Sequence, residues 1–398
     1  MNGLEKIIHL NQYMGFEITR DDSPGGEAQT NCPIGSFEES FGGDSSAVLS
    51  PRSFPIYMAA PNGRPVPILK TVLTSACERN CRYCAFSARR DYRRISYKPE
   101  ELAQIVDQLY RGGLVRGAFL SSGVAGGGMR TQDRLLETAE ILRNKLHFQG
   151  YLHLKIMPGA ERAQVERSLE LADRVSINLE APSTERLREL APEKVFLDEL
   201  LRPLQWVEEI RNSHYPVRAW KQRWPSTTTQ FVVGGTDERD VEFLKISRFL
   251  HRTLHLRRVY FSGFRPVSGT PLEDQPSVDP VRVHRLYQAA FLLRDYGFEM
   301  EDFTFSGEGN LPLESDPKYA WAQSHLAHNP VEVNQADFNQ LLRVPGIGPV
   351  GAQSILTARR RERLRSVESL KALGVRTRRA VPFILLDGRR PPQQLSLW

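Results

Sequence analysis

The chain has 398 residues, 40% hydrophobic and 25% charged, a balance that excludes a disordered or fibrous chain and allows two or three domains with a substantial core. No run of eighteen apolar residues occurs, and the start, Met1 to Gln12, lacks the basic and apolar stretches of a signal peptide, so no membrane span and a cytoplasmic location are expected. There are four cysteines, three of them within eight residues, which excludes a disulfide framework and points to metal or redox chemistry.

The formal charge of +6 is unevenly spread. From Val331 to Trp398 there are twelve Lys and Arg against five Asp and Glu, a net of +7, which leaves −1 for the rest of the chain. A basic tail on a near-neutral body suggests a polyanionic partner.

In chain order, a short helical pattern covers Leu4 to Tyr13 and a Gly/Ser/Asp-rich stretch follows from Asp21 to Ser50. Residues 1–60 are expected to form a loop-rich extension. From Ile68 onward short strand-like runs alternate with helical patterns. The pairs are Leu69–Thr74 and Glu100–Tyr110, Ala118–Ser122 and Gln132–Lys145, and Tyr151–Ile156 and Glu161–Leu171. They continue with Arg174–Leu179 and Leu197–Arg211, Thr228–Val233 and Asp237–His251, and Arg258–Ser262 and Pro280–Tyr296. Six such units in series mean a parallel sheet with right-handed crossovers, either doubly wound or a partial barrel.

The alternation of side chains favours the barrel. His153 and Lys155 share one face of their strand, opposite Leu152, Leu154 and Ile156; Ser176, Asn178 and Glu180 oppose Val175, Ile177 and Leu179. Strands covered on both faces read as continuous apolar runs, whereas a polar face suits a lumen that holds a site. The expected fold is α/β, a partial (β/α)6 barrel over residues 61–310, followed by a small all-α domain over 311–398.

Cys77, Cys81 and Cys84 lie directly after the first strand, where barrel enzymes carry their catalytic groups. Three thiolates on one tight loop can hold iron while leaving one iron open to a small molecule. The alternative is a structural zinc site completed by Cys32 or a histidine, although the chain has no second C-x2-C pair. The run from Gly123 to Gly128 lacks the Lys-Ser/Thr of a phosphate loop and reads as a loop after the second strand.

The C-x3-C-x2-C spacing with Tyr83 before its last cysteine resembles the signature of the radical S-adenosylmethionine superfamily. The resemblance implies a [4Fe-4S] cluster on Cys77, Cys81 and Cys84 whose open iron chelates S-adenosylmethionine. Its reductive cleavage then gives methionine and a 5′-deoxyadenosyl radical. It further implies cofactor contacts from Tyr83, from Ser121, Ser122 and Gly123, from Asn178 and Glu180, and from Gly234. A reductant such as flavodoxin or ferredoxin is implied as partner. Where that superfamily often has Gly-Gly-Glu, this chain has Ser-Ser-Gly, without the acidic residue. The polar strand residues His153, Lys155 and Gln230 are the candidate catalytic groups, with Tyr260, Arg265 and Lys194 as further substrate-facing candidates.

In the tail, Val344-Pro345-Gly346-Ile347-Gly348-Pro349 joins two helical patterns, Asp337–Arg343 and Val350–Arg361, and resembles the helix–hairpin–helix motif of DNA-binding proteins. Such glycines bring backbone N–H groups and a helix N-terminus to a phosphate, and Ile347 would plug the hairpin into the core. Arg343, Gly346, Gly348, Arg359 and Arg360 are the candidate nucleic-acid contacts. Leu373-Gly374-Val375 echoes the hairpin, with helical patterns on either side of it at Leu370–Leu373 and Thr377–Leu386. A protein-binding or dimerisation module is the alternative.

Together these stretches resemble a family of radical S-adenosylmethionine proteins assigned to DNA modification or repair. The resemblance is carried by Phe119–Val124, Gly150–Lys155, Ala172–Glu180, Leu190–Lys194, Val259–Ser262, His284–Gln288, Asp316–Lys318 with Trp321, and the hairpin. It implies DNA as partner. Members of that family carry further cysteines upstream, where this chain has only Cys32. Radical chemistry on RNA or protein, and a non-catalytic DNA-binding protein with a structural metal, remain open alternatives.

Overall fold

The computed structural model describes Met1 and residues 3–14, 54–59 and 65–392; Cys32 and most of the expected N-terminal loop lie outside these. By their contacts the described residues form two compact units, residues 1–237 with 254–277, and residues 238–253 with 278–398.

The first unit begins with α1 (Gly3–Met14), which buries Ile7 and Leu10 and pairs Lys6 with Glu101 at 2.7 Å. Strands β1 (Ile56–Ala59) and β2 (Val66–Val72) follow, then α2 (Pro99–Arg111). Helix α2 shows why the local pattern succeeds. Pro99 opens it, Glu100 and Glu101 face its positive end, and Leu102, Ile105, Val106 and Leu109 bury one stripe. It stops at Gly112-Gly113, where Gly113 takes φ 75°.

The chain continues through β3 (Gly117–Ser121), α3 (Gly128–Glu140) with a π-helical turn at Ile141–Lys145, β4 (Tyr151–Lys155) and α4 (Arg162–Leu171). Next come β5 (Arg174–Ser176), α5 (Thr184–Leu190), a π-helical turn at Phe196–Leu201, α6 (Arg202–Ser213) and β6 (Ser226–Val233). After α7 (Asp240–Arg252), which groups with the second unit, β7 (Arg258–Gly263) completes the sheet.

The sheet order is β1-β2-β3-β4-β5-β6-β7, with β2 to β7 parallel and β1 antiparallel on β2. A doubly wound sheet reverses its strand order at a switch point. Here six parallel strands add in one direction only, the winding of a partial barrel. Helix α1 lies where the sequence shows the short helical pattern over Leu4–Tyr13, whereas strand β1 is not expected within the loop-rich extension over residues 1–60 and corrects it there. An isolated four-residue strand has no sequence signal of its own, because its hydrogen bonds come from β2.

Pairing across the sheet fixes which side chains share the lumen. Phe119, His153 and Arg174 are register partners in one row, and Lys155, Ser176 and Thr228 in the next. Leu152, Leu154, Val175 and Ile177 are buried on the opposite face, so the alternation read from the sequence sets the lumen.

The second unit holds α8 (Pro280–Asp295), α9 (Pro317–His325), β8 (Val331–Glu332), α10 (Phe338–Arg343), α11 (Pro349–Ala358), α12 (Val367–Ala372), α13 (Thr377–Ala380) and β9 (Ile384–Leu385). Its core gathers Leu341, Val344, Ile347, Ile355, Leu370 and Val375. The unit is not all-α. Where a helix was expected over Thr377–Leu386, α13 ends at Ala380 and β9 pairs with β8 in parallel. Pro382 lacks the N–H a continuing helix needs, and the extended backbone after it finds its partner in Val331–Glu332. Among the described residues no helix is long and apolar enough to cross a membrane.

Candidate active site

Beyond β2 the chain stays extended, and Leu73 donates its N–H to Ser121 at 2.8 Å. It then forms an irregular loop from Ser75 to Ser96 that carries the cysteines. Two neighbouring segments hold this loop. On the β3 side, Glu78 N–H donates to the Val124 carbonyl, and the Glu78 carboxylate accepts from the N–H groups of Gly126 and Gly127 at 3.0 and 3.2 Å. The glycine run is thus a cradle for Glu78 and opens α3 at Gly128. Gly123 lies so close to the loop that a Cβ there would sit 2.4 Å from the Ala76 carbonyl oxygen. On the other side, Arg82 N–H donates to the Leu190 carbonyl, Asn80 N–H to the Glu193 carboxylate, and Arg79 pairs with Glu199 at 2.7 Å.

None of these three cysteines is in a disulfide; Cys81 is buried and Cys77 and Cys84 are half-buried. Burial pushes the Cys81 thiol up, and the nearby Lys194 ammonium opposes that shift. Phe86 N–H donates to the Cys84 sulfur. Beside them Lys194 and Glu180 form a buried ion pair at 2.8 Å. Burial opposes the Lys194 charge, but Cys81 and Glu180 outweigh it and hold the ammonium protonated. Glu180 takes φ 64°, the left-handed region that costs a side-chain-bearing residue energy. Its amide still donates to Gln230 and its carbonyl accepts from Val232. Burial, then the Glu180 carboxylate, keeps the Tyr83 phenol protonated.

These residues line one cavity at the C-terminal ends of the strands. It brings together Cys77, Cys81, Cys84, Tyr83, Ser121, Ser122, Gly123, Lys155, Asn178, Glu180 and Gln230, along with Lys194 and Arg265. Two expected residues stand elsewhere. Gly234, with φ 86°, does not line the cavity; it makes a turn whose carbonyl accepts from Gln275 at 2.8 Å. His153 lines a second, smaller cavity that shares Lys155, Asn178 and Gln230 with the first. Sequence reasoning missed Glu78 and Arg79, the residues that pin the loop; both lie between the cysteines, but their partners are remote in sequence.

The donor set fits an iron–sulfur cluster. Three cysteine sulfurs outside any disulfide border a cavity whose other walls supply hydroxyl, amide and carboxylate groups. The buried Ser122 hydroxyl and the second Glu180 carboxylate oxygen make no hydrogen bond within the protein, as groups reserved for a ligand would. Among the described residues no three His, Cys, Asp or Glu side chains converge as ligands of a single metal ion. A cluster, whose irons each take their own thiolate, has no need of such convergence.

The tail places its candidates differently. Gly346 at φ 87° and Gly374 at φ 82° form two equivalent turns, and Arg376 N–H donates to the Gly346 carbonyl at 3.0 Å. Ile347 is buried in the core, and α11 starts immediately after Gly348. Arg343 and Arg359 are committed within the unit. The Arg343 guanidinium stacks 4.1 Å above Phe298 and 4.8 Å from Trp321, pairs with Asp302 at 2.7 Å and donates to the Gly297 carbonyl. Arg359 donates to the carbonyls of Val333 and Ala336 at 2.9 and 2.6 Å. Arg360 is exposed, as are Arg361, Arg376 and Arg378.

Residues 71–250 match the family model described as the Radical SAM superfamily. No curated protein matches the chain. Among solved structures, methylornithine synthase PylB is similar at 17% identity and a TM-score of 0.44, over 57% of this chain and 61% of that one. The FeFe-hydrogenase maturase HydG from Carboxydothermus hydrogenoformans is similar at 16% identity and 0.45, over 57% and 51%. The radical S-adenosylmethionine methyltransferase TsrM from Kitasatospora setae, solved with cobalamin and a [4Fe-4S] cluster, is similar at 11% and 0.37, over 51% and 38%. The chain thus spans less than two thirds of each of these structures. The matched segment runs from within β2 through α7 and contains all three cysteines; residues 71–250 are a domain of the radical S-adenosylmethionine superfamily, the enzyme class whose cofactors are a [4Fe-4S] cluster and S-adenosylmethionine.

Proposed function

We propose that this protein is a radical S-adenosylmethionine enzyme that modifies or repairs DNA, with a barrel over residues 61–310 doing the chemistry and a tail over 311–398 holding the polymer. When bound, the cluster and S-adenosylmethionine supply the electron and the 5′-deoxyadenosyl radical that takes a hydrogen atom from the substrate. Cys77, Cys81 and Cys84 hold the cluster on a loop that Glu78 and Arg79 keep in place. Ser121, Ser122, Gly123, Asn178 and Glu180 hold the cofactor's polar groups, with Tyr83 beside them. The acidic residue missing after β3 has a substitute in Glu180, whose second carboxylate oxygen has no hydrogen bond within the protein. Phe264 and Val267 give the cavity apolar walls that exclude water from a reactive radical. Lys155 and Gln230, on its floor, orient the substrate, and His153 stands below them. A flavodoxin or ferredoxin delivers the electron.

The observation that carries the DNA reading is the pair of glycine turns, Gly346 and Gly374, each opening a helix among exposed arginines. Backbone N–H groups and arginine charge read phosphates rather than bases, so binding is sequence-tolerant and salt-sensitive. A damaged or target base within a duplex would be flipped out to reach the barrel.

The test is anaerobic purification with iron and sulfide analysis, followed by dithionite and S-adenosylmethionine. Cluster-dependent 5′-deoxyadenosine is expected, and Cys81→Ala is expected to lose both the cluster and that product. Duplex DNA, single-stranded DNA and tRNA are compared over a salt series. Preference for tRNA, or no binding to any nucleic acid, would overturn the DNA assignment.

A further inference from the structure

Below the cysteine cavity the lumen continues into a second, smaller space, and Lys155, Asn178 and Gln230 line both. Where a barrel interior serves only to be packed, its inward residues are Val, Ile and Leu. Here the inward rows carry Phe119, His153 and Arg174, then Lys155, Ser176 and Thr228.

The geometry of these groups is fixed. Arg174 is buried, with its Nε donating to Ser226 Oγ at 3.0 Å and a terminal nitrogen donating to the Tyr260 hydroxyl at 3.3 Å. These bonds set the plane of the guanidinium. His153 stacks on Phe119 with ring centroids 4.1 Å apart, and its Nε2 shares a proton with Ser176 Oγ at 2.8 Å. Lys155 donates to Asn178, and Lys70 lies 5.8 Å from the Phe119 ring centroid. Burial, then Arg174, Lys155 and Lys70, hold His153 neutral. The described residues lining this space include no Asp or Glu.

Two cations at different heights, hydroxyls from Ser176, Thr228 and Tyr260, and a neutral imidazole make a site rich in donors. Its donors come from several strands, which suits the tetrahedral oxygens of a phosphate better than the two coplanar oxygens of a carboxylate. We propose that the lower lumen is a phosphate-binding subsite that takes a terminal phosphate, that of a free nucleotide or of a 5′ strand end, leaving the sugar and base to extend toward the cysteine cavity. This rests on the reading of the barrel as acting on a nucleic-acid component.

The test uses the holoenzyme carrying its cluster and S-adenosylmethionine. Titration calorimetry compares the four 2′-deoxynucleoside 5′-monophosphates with the corresponding nucleosides, and oligonucleotides with and without a 5′-phosphate, each with inorganic phosphate as competitor. The phosphorylated ligand is expected to bind at least about tenfold tighter than its unphosphorylated partner, as charge-assisted hydrogen bonds of this kind provide. Inorganic phosphate is expected to compete. Arg174→Gln is expected to abolish the preference and Arg174→Lys to recover part of it. A preference confined to the oligonucleotide assigns the phosphate to a polymer end, and one shown by the monophosphates assigns it to a free nucleotide.

Equal binding with and without phosphate, and no competition in the wild-type protein, would overturn the subsite; that arm needs no variant to fold. Measuring 5′-deoxyadenosine on the same preparation separates the two ideas. Cofactor cleavage without phosphate preference sinks the subsite alone, whereas absence of cleavage sinks the radical reading itself.

Discussion

The cysteine loop of the barrel and the glycine hairpins of the tail are both irregular segments, yet they are stabilised in opposite ways. The cysteine loop is tied on both flanks, through Glu78 to Gly126 and Gly127 and through Arg79 and Asn80 to Glu199 and Glu193. Each hairpin is anchored from below by one apolar residue, Ile347 or Val375, and the two are joined by the bond from Arg376 to Gly346. A loop that must hold three thiolates at fixed positions gains from being over-determined, because any slack is felt as weaker ligation. Each hairpin takes its order from the core beneath it, an arrangement that suits the proposed role of presenting N–H groups to a phosphate.

The change expected to break the first arrangement most severely is Gly123→Ala. A Cβ would overlap the Ala76 carbonyl at 2.4 Å and approach Cys77, so the cysteine loop must move. Overpacking of this kind costs about 3 kcal/mol at its upper end. The expected outcome is loss of most of the iron on anaerobic purification and a lower melting temperature. Full iron content with unchanged melting would show that the close packing of Gly123 is not what positions the cysteines.

In the tail the comparison sharpens into a contrast between two arginines. Arg343→Ala removes the stack on Phe298 and Trp321, the ion pair with Asp302 and the bond to Gly297. It is expected to destabilise the unit by about 2 kcal/mol, with any loss of DNA binding following from unfolding. Arg360→Ala is expected to leave stability within about 0.5 kcal/mol, to weaken duplex binding and to reduce the slope of log affinity against log salt by about 0.9, one phosphate's share. Denaturant melts beside salt-dependent binding distinguish the two. Equal effects of both substitutions on stability would remove the contrast.

The fold and the upper site were legible in the sequence where the signals are local. The spacing of Cys77, Cys81 and Cys84 and the alternation around His153 and Lys155 each lie within a dozen residues, and each strand–helix unit within 21 to 42. What was not legible depends on partners far along the chain. Strand β1 exists through β2 and β9 through β8. Arg343 and Arg360 look alike in sequence, and only Asp302, Phe298 and Trp321, 22 to 45 residues upstream of Arg343, set one apart. His153 has the inward direction expected of it, but one row of register places it below the cysteine cavity rather than in it.

The most gradual expected effect concerns Lys318, whose ammonium donates to the Ile347 carbonyl at 2.6 Å and lies 4.6 Å from the Tyr296 ring. Burial, set against Asp316 and reinforced by Arg379, lowers its pKa to about 7. The unfolded chain, with an ordinary lysine, stays protonated until about pH 10.4. Between these values the unfolded state binds the extra proton, so stability rises with pH across that window and is lowest below pH 7. A single proton sets a ceiling of about 1.4 kcal/mol per pH unit. The carbonyl and the ring both favour the charged form, which acts to raise the folded-state pKa and narrow that window. Lys318→Met, which keeps the length of the side chain without its charge, is expected to flatten the dependence between pH 7 and pH 10 in denaturant titrations of the full chain. An unchanged slope in that variant would show that the ammonium under the first hairpin is charged at neutral pH, held there by the Ile347 carbonyl, and that the hairpin's order does not depend on pH through this residue.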